Sequence, residues 1–162
     1  MEKRPGDYRF VWLLAMAATV AFIFQQSTLP PSDSAAVSGS VADFLVRLLG
    51  GEDTALGAFI LRFVRKIAHF AEFFLLGALS EGYLARRHTV ENTAVQLLGG
   101  LLVATADEGL QLLTSRGAMV SDVLLDVLGY LTGLLLAGLL LFPILYSIKR
   151  KAGAKCAAYR DV

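Results

Sequence analysis

Three short blocks hold most of the chemistry in this sequence. "RKIAHFAEFFLLG" carries Arg65, Lys66, His69 and Glu72; "ATADEGLQLLTSRG" carries Asp107, Glu108, Gln111 and Arg116; "SDVLLDVLGYLTG" carries Asp122 and Asp126. On a helix, at about 100° per residue, Arg62, Arg65, Lys66 and His69 fall within about 100° of one another, with Glu72 just beside them. Asp107 and Glu108 straddle Gln111 around the helix, and Asp122 and Asp126 share a face that Gly129 and Gly133 continue. One histidine among carboxylates is material for acid–base chemistry. His69 would be the general base or acid, oriented by Glu72 or Glu108, with Asp126 as the second acid or base. The blocks hold no Ser or Cys nucleophile, so water or a substrate hydroxyl would attack.

The same residues support two other readings. Arg forks and Lys point charges commonly hold phosphate, so Arg62, Arg65, Lys66 and Arg116 could rim a site for an anionic headgroup. Opposite charges buried between helices can also serve only to lock them together. Metal-assisted hydrolysis through His69, Glu108 and Asp126 is conceivable. A single His with carboxylates argues only weakly for zinc, however, and suits Mg²⁺ or Ca²⁺ as well. No metal and no cofactor is assigned.

The elements that carry these blocks follow from composition. Of 162 residues, 56% are hydrophobic and 18% charged, with mean hydropathy +0.60, against about 25% charged in an average soluble domain. Apolar segments at about 10–26, 67–84, 93–114 and 123–146 each approach the roughly 20 residues needed to cross a bilayer core. The expected fold is all-α: one membrane domain over 1–162 built as a four-transmembrane-helix bundle. The first segment has a basic start, and Ser34–Ala36 imitates a peptidase site. That site lies well beyond the apolar core and more spans follow, so an uncleaved first helix is expected. The single Cys156 excludes an intrachain disulfide. A net charge of +1 without a basic-aromatic motif gives no sign of nucleic-acid binding.

Basic residues set the orientation. Ten lie on one side (Lys3, Arg4, Arg9, Arg86, Arg87, Lys149, Arg150, Lys151, Lys155, Arg160) and five on the other (Arg47, Arg62, Arg65, Lys66, Arg116). Lys/Arg-rich loops stay inside, so both termini and the tail 147–162 should be cytoplasmic. The loop 27–55 then faces outward. In it, "TLPPSDS" reads as a turn-prone linker. "SVADFLVRLLGG" reads as a short amphipathic helix, with Val41, Phe44, Leu45, Leu48 and Leu49 in a stripe and Asp43 and Arg47 off it. That helix lies either on the outer membrane surface or as a lid on the spans.

The second helix, starting near Leu56, would run about 45 Å, so Arg62 and Arg65 stand in the headgroup zone. Because the third span leaves the cytoplasm, its acids lie near the outer end. Short turns make the spans neighbours, so Lys66, His69, Glu72, Glu108, Gln111, Arg116, Asp122 and Asp126 should converge on one outer-leaflet pocket, with Asp107 the least well placed. The inner halves show no comparable cluster, Glu81 being the main exception. Ser121 is the expected N-cap of the last span.

Taken in order, the blocks resemble the VanZ-like family: R-K-x-x-H-x-x-E, then D-E-x-x-Q-x-x-x-x-R, then D-V-x-x-D-x-x-G-x-x-x-G. The chain matches at Arg65, Lys66, His69, Glu72, Asp107, Glu108, Gln111, Arg116, Asp122, Val123, Asp126, Gly129 and Gly133. It departs at Leu110, where many relatives are polar, and at "FQQSTLPP", where a Ser-rich turn would be expected. The resemblance implies a small bacterial membrane protein, in a family whose name-giving members are associated with teicoplanin resistance. Its expected partners are membrane lipids, a lipid-linked cell-wall precursor or a lipoglycopeptide.

Overall fold

The computed structural model describes residues 7–49, 54–84, 89–114 and 119–141; Arg116 lies outside them. Among the described residues the chain is all-helical, with no strand. The helices are α1 (Asp7–Thr28), α2 (Pro31–Leu49), α3 (Ala55–Leu84), α4 (Val90–Leu113) and α5 (Val120–Leu136), and α5 widens into π geometry over Ala137–Leu141. Two segments, Phe10–Thr28 and Val120–Leu140, are long and apolar enough to cross a membrane, with mean hydropathy 1.6 and 2.1. Only 17% and 28% of those windows are buried, whereas the core helix of a soluble fold would be mostly covered. α3 and α4 are as long but are interrupted by ionisable and amide side chains.

The paired prolines behave differently from the linker expected of them. Pro31 opens α2 instead of breaking the chain, because a proline at the first helical position has its φ preset and lacks only an N–H that would go unused. The Pro30 carbonyl accepts from the Asp33 and Ser34 amides at 3.1 and 3.0 Å, which closes the first turn. The helix of the first loop is therefore 19 residues long, more than the short one expected. It packs on the N-terminal third of α3 through Ala42 and Val46 against Ile60, with Leu45 and Val64 beside them. Val41, Phe44 and Leu48 face away from α3, so α2 covers α3 and presents an apolar stripe outward at the same time.

α3 and α5 form the tightest pair. A Cβ on Gly129 would overlap the Phe70 carbonyl, one on Gly133 the Phe74 carbonyl, and one on Gly77 the Tyr130 carbonyl. Pairing 129 with 70 and 133 with 74 means the two helices run parallel, joined through the returning α4. Small residues let backbones approach where lipid supplies no hydrophobic drive between helices. Around this seam Ile23, Phe73, Leu76, Ala104, Tyr130 and Leu134 make the apolar core.

The seam predicts opposite fates for two similar substitutions. Gly133→Ala should lower the unfolding midpoint in detergent by several degrees, since overpacking costs roughly 1–3 kcal/mol. Gly99→Ala, whose Cβ would meet nothing within 4 Å, should leave it unchanged or slightly raised. Equal midpoints would remove the seam from its central place.

Candidate functional site

The seam places Asp126 of α5 one turn before Gly129, and so beside His69 of α3, the residue before Phe70. His69 Nδ1 lies 3.7 Å from Asp126 Oδ1 and 3.6 Å from Asp107 Oδ2 of α4. Both carboxylates are fully buried and the His side chain is 16% exposed. Asp107, the least well placed in the sequence reading, is the middle of the arrangement. Its Oδ1 accepts from the Ser27 hydroxyl of α1, and its Oδ2 accepts from Gln111 Nε2 at 3.0 Å. Gln111 Oε1 in turn accepts from the Arg65 guanidinium at 2.8 Å, so the cation reaches the buried acid through an amide. The Thr114 hydroxyl closes α4 onto α1 by reaching the Ser27 carbonyl at 3.2 Å.

Other expected members sit around this centre with different tasks. Glu108 is buried, but one oxygen accepts from the Met119 amide at 3.3 Å, tying α4 to the start of α5. The conceived metal set of His69, Glu108 and Asp126 is thus replaced by His69, Asp107 and Asp126, whose ligating atoms all lie within 4.8 Å of one another. Lys66 pairs with Asp122 at 3.3 Å near the surface, where both side chains are partly wet, so the pair contributes little to stability. Ser121 does not cap α5. The helix starts after Met119 with no side-chain cap, and the Ser121 hydroxyl donates to Asp122 at 3.2 Å. Glu72, one turn below His69, lines a shallow groove of about 480 Å³ between α1 and α3 with Thr19, Phe22 and Leu75.

Among the described residues, four buried side-chain oxygens have no hydrogen-bond partner: Glu72 Oε2, Glu108 Oε2 and both oxygens of Asp126. Buried carboxylates are ordinarily paired or hydrogen-bonded. Asp107 is hydrogen-bonded, whereas Asp126 has only the 3.7 Å approach of His69 and no hydrogen bond.

The sequence of this region is that of a known family. The model of the VanZ/LLP1 family matches residues 10–142. The chain belongs to the VanZ/LLP1 family. Among curated proteins and solved structures, none matches it. Family membership and the two apolar helices together point to a membrane protein. The matched region takes in the whole centre of this VanZ-family chain, Ser27 included.

Two features escaped the sequence reading. Ser27 stands in the "FQQSTLPP" stretch marked as a departure, and a serine at the end of an apolar span was the available signal. A second polar group surrounds Glu81, the main exception the sequence reading named away from the three blocks. The Tyr130 hydroxyl contacts the Gln96 carbonyl at 2.9 Å and Ser80 Oγ at 3.0 Å, and Gln96 Nε2 points at Glu81 Oε2 at 3.5 Å. Beside it is a cavity of about 540 Å³, walled mainly by apolar side chains such as Met16, Val20 and Leu76.

The bonding pattern sorts the acids by role. Ser27→Ala removes a bond to a buried charge and should cost about 1–3 kcal/mol in unfolding. Asp126→Asn, which breaks no hydrogen bond, should leave stability equal or higher. Matched thermal melts of the two variants in detergent test this, and an Asp126→Asn loss as large as that of Ser27→Ala would make Asp126 a structural residue.

Proposed function

We propose that this is a multi-pass protein of the bacterial cytoplasmic membrane, with α1, α3, α4 and α5 as four spans, α2 along the outer surface and both termini cytoplasmic. Three features support the reading. Buried polar residues are nearly as numerous as buried apolar ones, while Phe10, Leu14, Leu98, Leu102, Leu124, Leu128, Leu135 and Leu139 all face outward. That inversion suits lipid as the solvent, because intramembrane ionisable groups face the protein interior. Basic residues also concentrate at the termini and the inner loop. Finally, α3 is the longest helix and its first turns pack against α2.

On this reading the polar centre lies in the outer leaflet and receives the headgroup of an envelope lipid. The carrying observation is the set of unpartnered buried oxygens on Glu72, Glu108 and Asp126, below an exposed rim of Arg62, Arg65 and Lys66. Such a site wants hydrogen-bond donors inside and an anion at its mouth. A lipid-linked cell-wall intermediate offers sugar hydroxyls, amides and phosphate together; a phospholipid offers phosphate alone. The groove beside Glu72 gives an acyl or prenyl chain a place between α1 and α3. Engagement of such lipids, or of a lipoglycopeptide at the same surface, would support teicoplanin-type glycopeptide resistance or envelope homeostasis. His69 set between two aspartates favours a second reading, a membrane-embedded hydrolase or transferase acting on the same headgroup.

Titration of the purified protein with a polyprenyl phosphate, a polyprenyl-linked sugar phosphate and phosphatidylglycerol should give saturable one-to-one binding, tightest for the sugar-linked lipid. Arg65→Gln should weaken it about tenfold or more, the size of one charge-assisted hydrogen bond. Binding that is absent, or indifferent to Arg65, would reject the headgroup site; turnover of any lipid would promote the enzyme reading.

A further inference from the structure

We propose that His69 Nδ1, one oxygen of Asp107 and one of Asp126 bind a single divalent cation of the Zn²⁺ or Mn²⁺ type, with a coordination position left open. The assignment concerns the same centre as the lipid reading but does not depend on it.

The spacing is the first observation. The His69 contacts of 3.6 and 3.7 Å to Asp107 and Asp126 are too long for hydrogen bonds. Those two separations are close to the roughly 3.4 Å between two ligands held about 2.1 Å from one tetrahedral ion, and all three ligating atoms lie within 4.8 Å of one another. Asp126 is the second. It is 1% exposed, lies against His69, and neither of its oxygens has a hydrogen-bond partner. A carboxylate held in that state is suited to a cation. Mixed imidazole and carboxylate donors suit Zn²⁺ and Mn²⁺.

Asp107 supplies the third observation. Ser27 and Gln111 each donate to it, fixing the carboxylate as outer partners fix a metal ligand. Local charge agrees. Glu72, Glu108 and Asp122 stand within about one helical turn of His69, Asp107 and Asp126 along α3, α4 and α5. Among the described residues, Arg65 is directed to Gln111 and Lys66 to Asp122. A dication would neutralise the centre, and its open position could take an oxygen of an anionic headgroup that the bare carboxylates would repel.

The test uses the full-length protein in detergent, stripped with a chelator and titrated calorimetrically with ZnCl₂, MnCl₂ and MgCl₂ alone. One Zn²⁺ or Mn²⁺ per chain should bind and raise the unfolding midpoint, with Mg²⁺ weaker. His69→Ala and Asp126→Asn should each weaken binding at least 100-fold. Gln111→Ala should weaken it about 10–100-fold. His88→Ala, the chain's other histidine, should change nothing. Absence of a one-to-one site in the wild-type protein overturns the assignment whether or not a variant folds, as does a site that survives both His69→Ala and Asp126→Asn. Because no lipid is added, a failure here leaves the headgroup reading to its own titration.

Discussion

The close approach of α3 and α5 governs this structure. Gly129 and Gly133 lie against the carbonyls of Phe70 and Phe74, and Gly77 lies against that of Tyr130. With a Cβ at any of these the helices would separate or rotate, and His69 and Asp126 would move apart with them. The glycines are costly in conformational entropy, so their placement on one face marks a position where contact matters more than helix propensity. The last block of the sequence therefore has one physical meaning, because its second aspartate and its glycines belong to the same interface.

Around that interface the polar groups divide into those that build and those that wait. Ser27, Asp107, Gln111 and Arg65 form a connected chain across α1, α4 and α3. Glu108 fastens the start of α5. These contacts account for the helix-locking role that any buried charge set can have. They do not account for Asp126 or for the buried oxygen of Glu72. In a low-dielectric interior an unpaired acceptor opposes folding, and a protein retains such groups where a ligand completes them.

Much of this was legible in the sequence because helical spacing is arithmetic. His69 and Glu72 lie one turn apart, as do Asp122 and Asp126, and block order with short connections made the three helices neighbours. The ranking of Asp107 below Glu108 could not be read the same way. Adjacent residues differ by about 100° around the axis, and the rotation of α4 is set by packing against α1 and α5. Ser27 could not be paired from the sequence for a related reason, since its partner lies 80 residues away. Pro30 and Pro31 were read as a stop when the second is a start, which depends on which side of the proline the helix forms. The Tyr130, Gln96 and Glu81 group joins three helices through residues that are unremarkable singly.

The central claim is that the acidic centre opens to the outside of the membrane, and labelling of intact cells with a membrane-impermeant maleimide tests it most directly. Met119, exposed at the start of α5 beside the centre, is the reporter for the face that the proposed topology places outside. The native Cys156 in the tail reports the inner one. Met119→Cys in a Cys156→Ala background should label in intact cells, and Cys156 in the native chain only after permeabilisation. Labelling of Cys156 from outside, with Met119→Cys protected until the membrane is opened, would invert the protein and contradict the account.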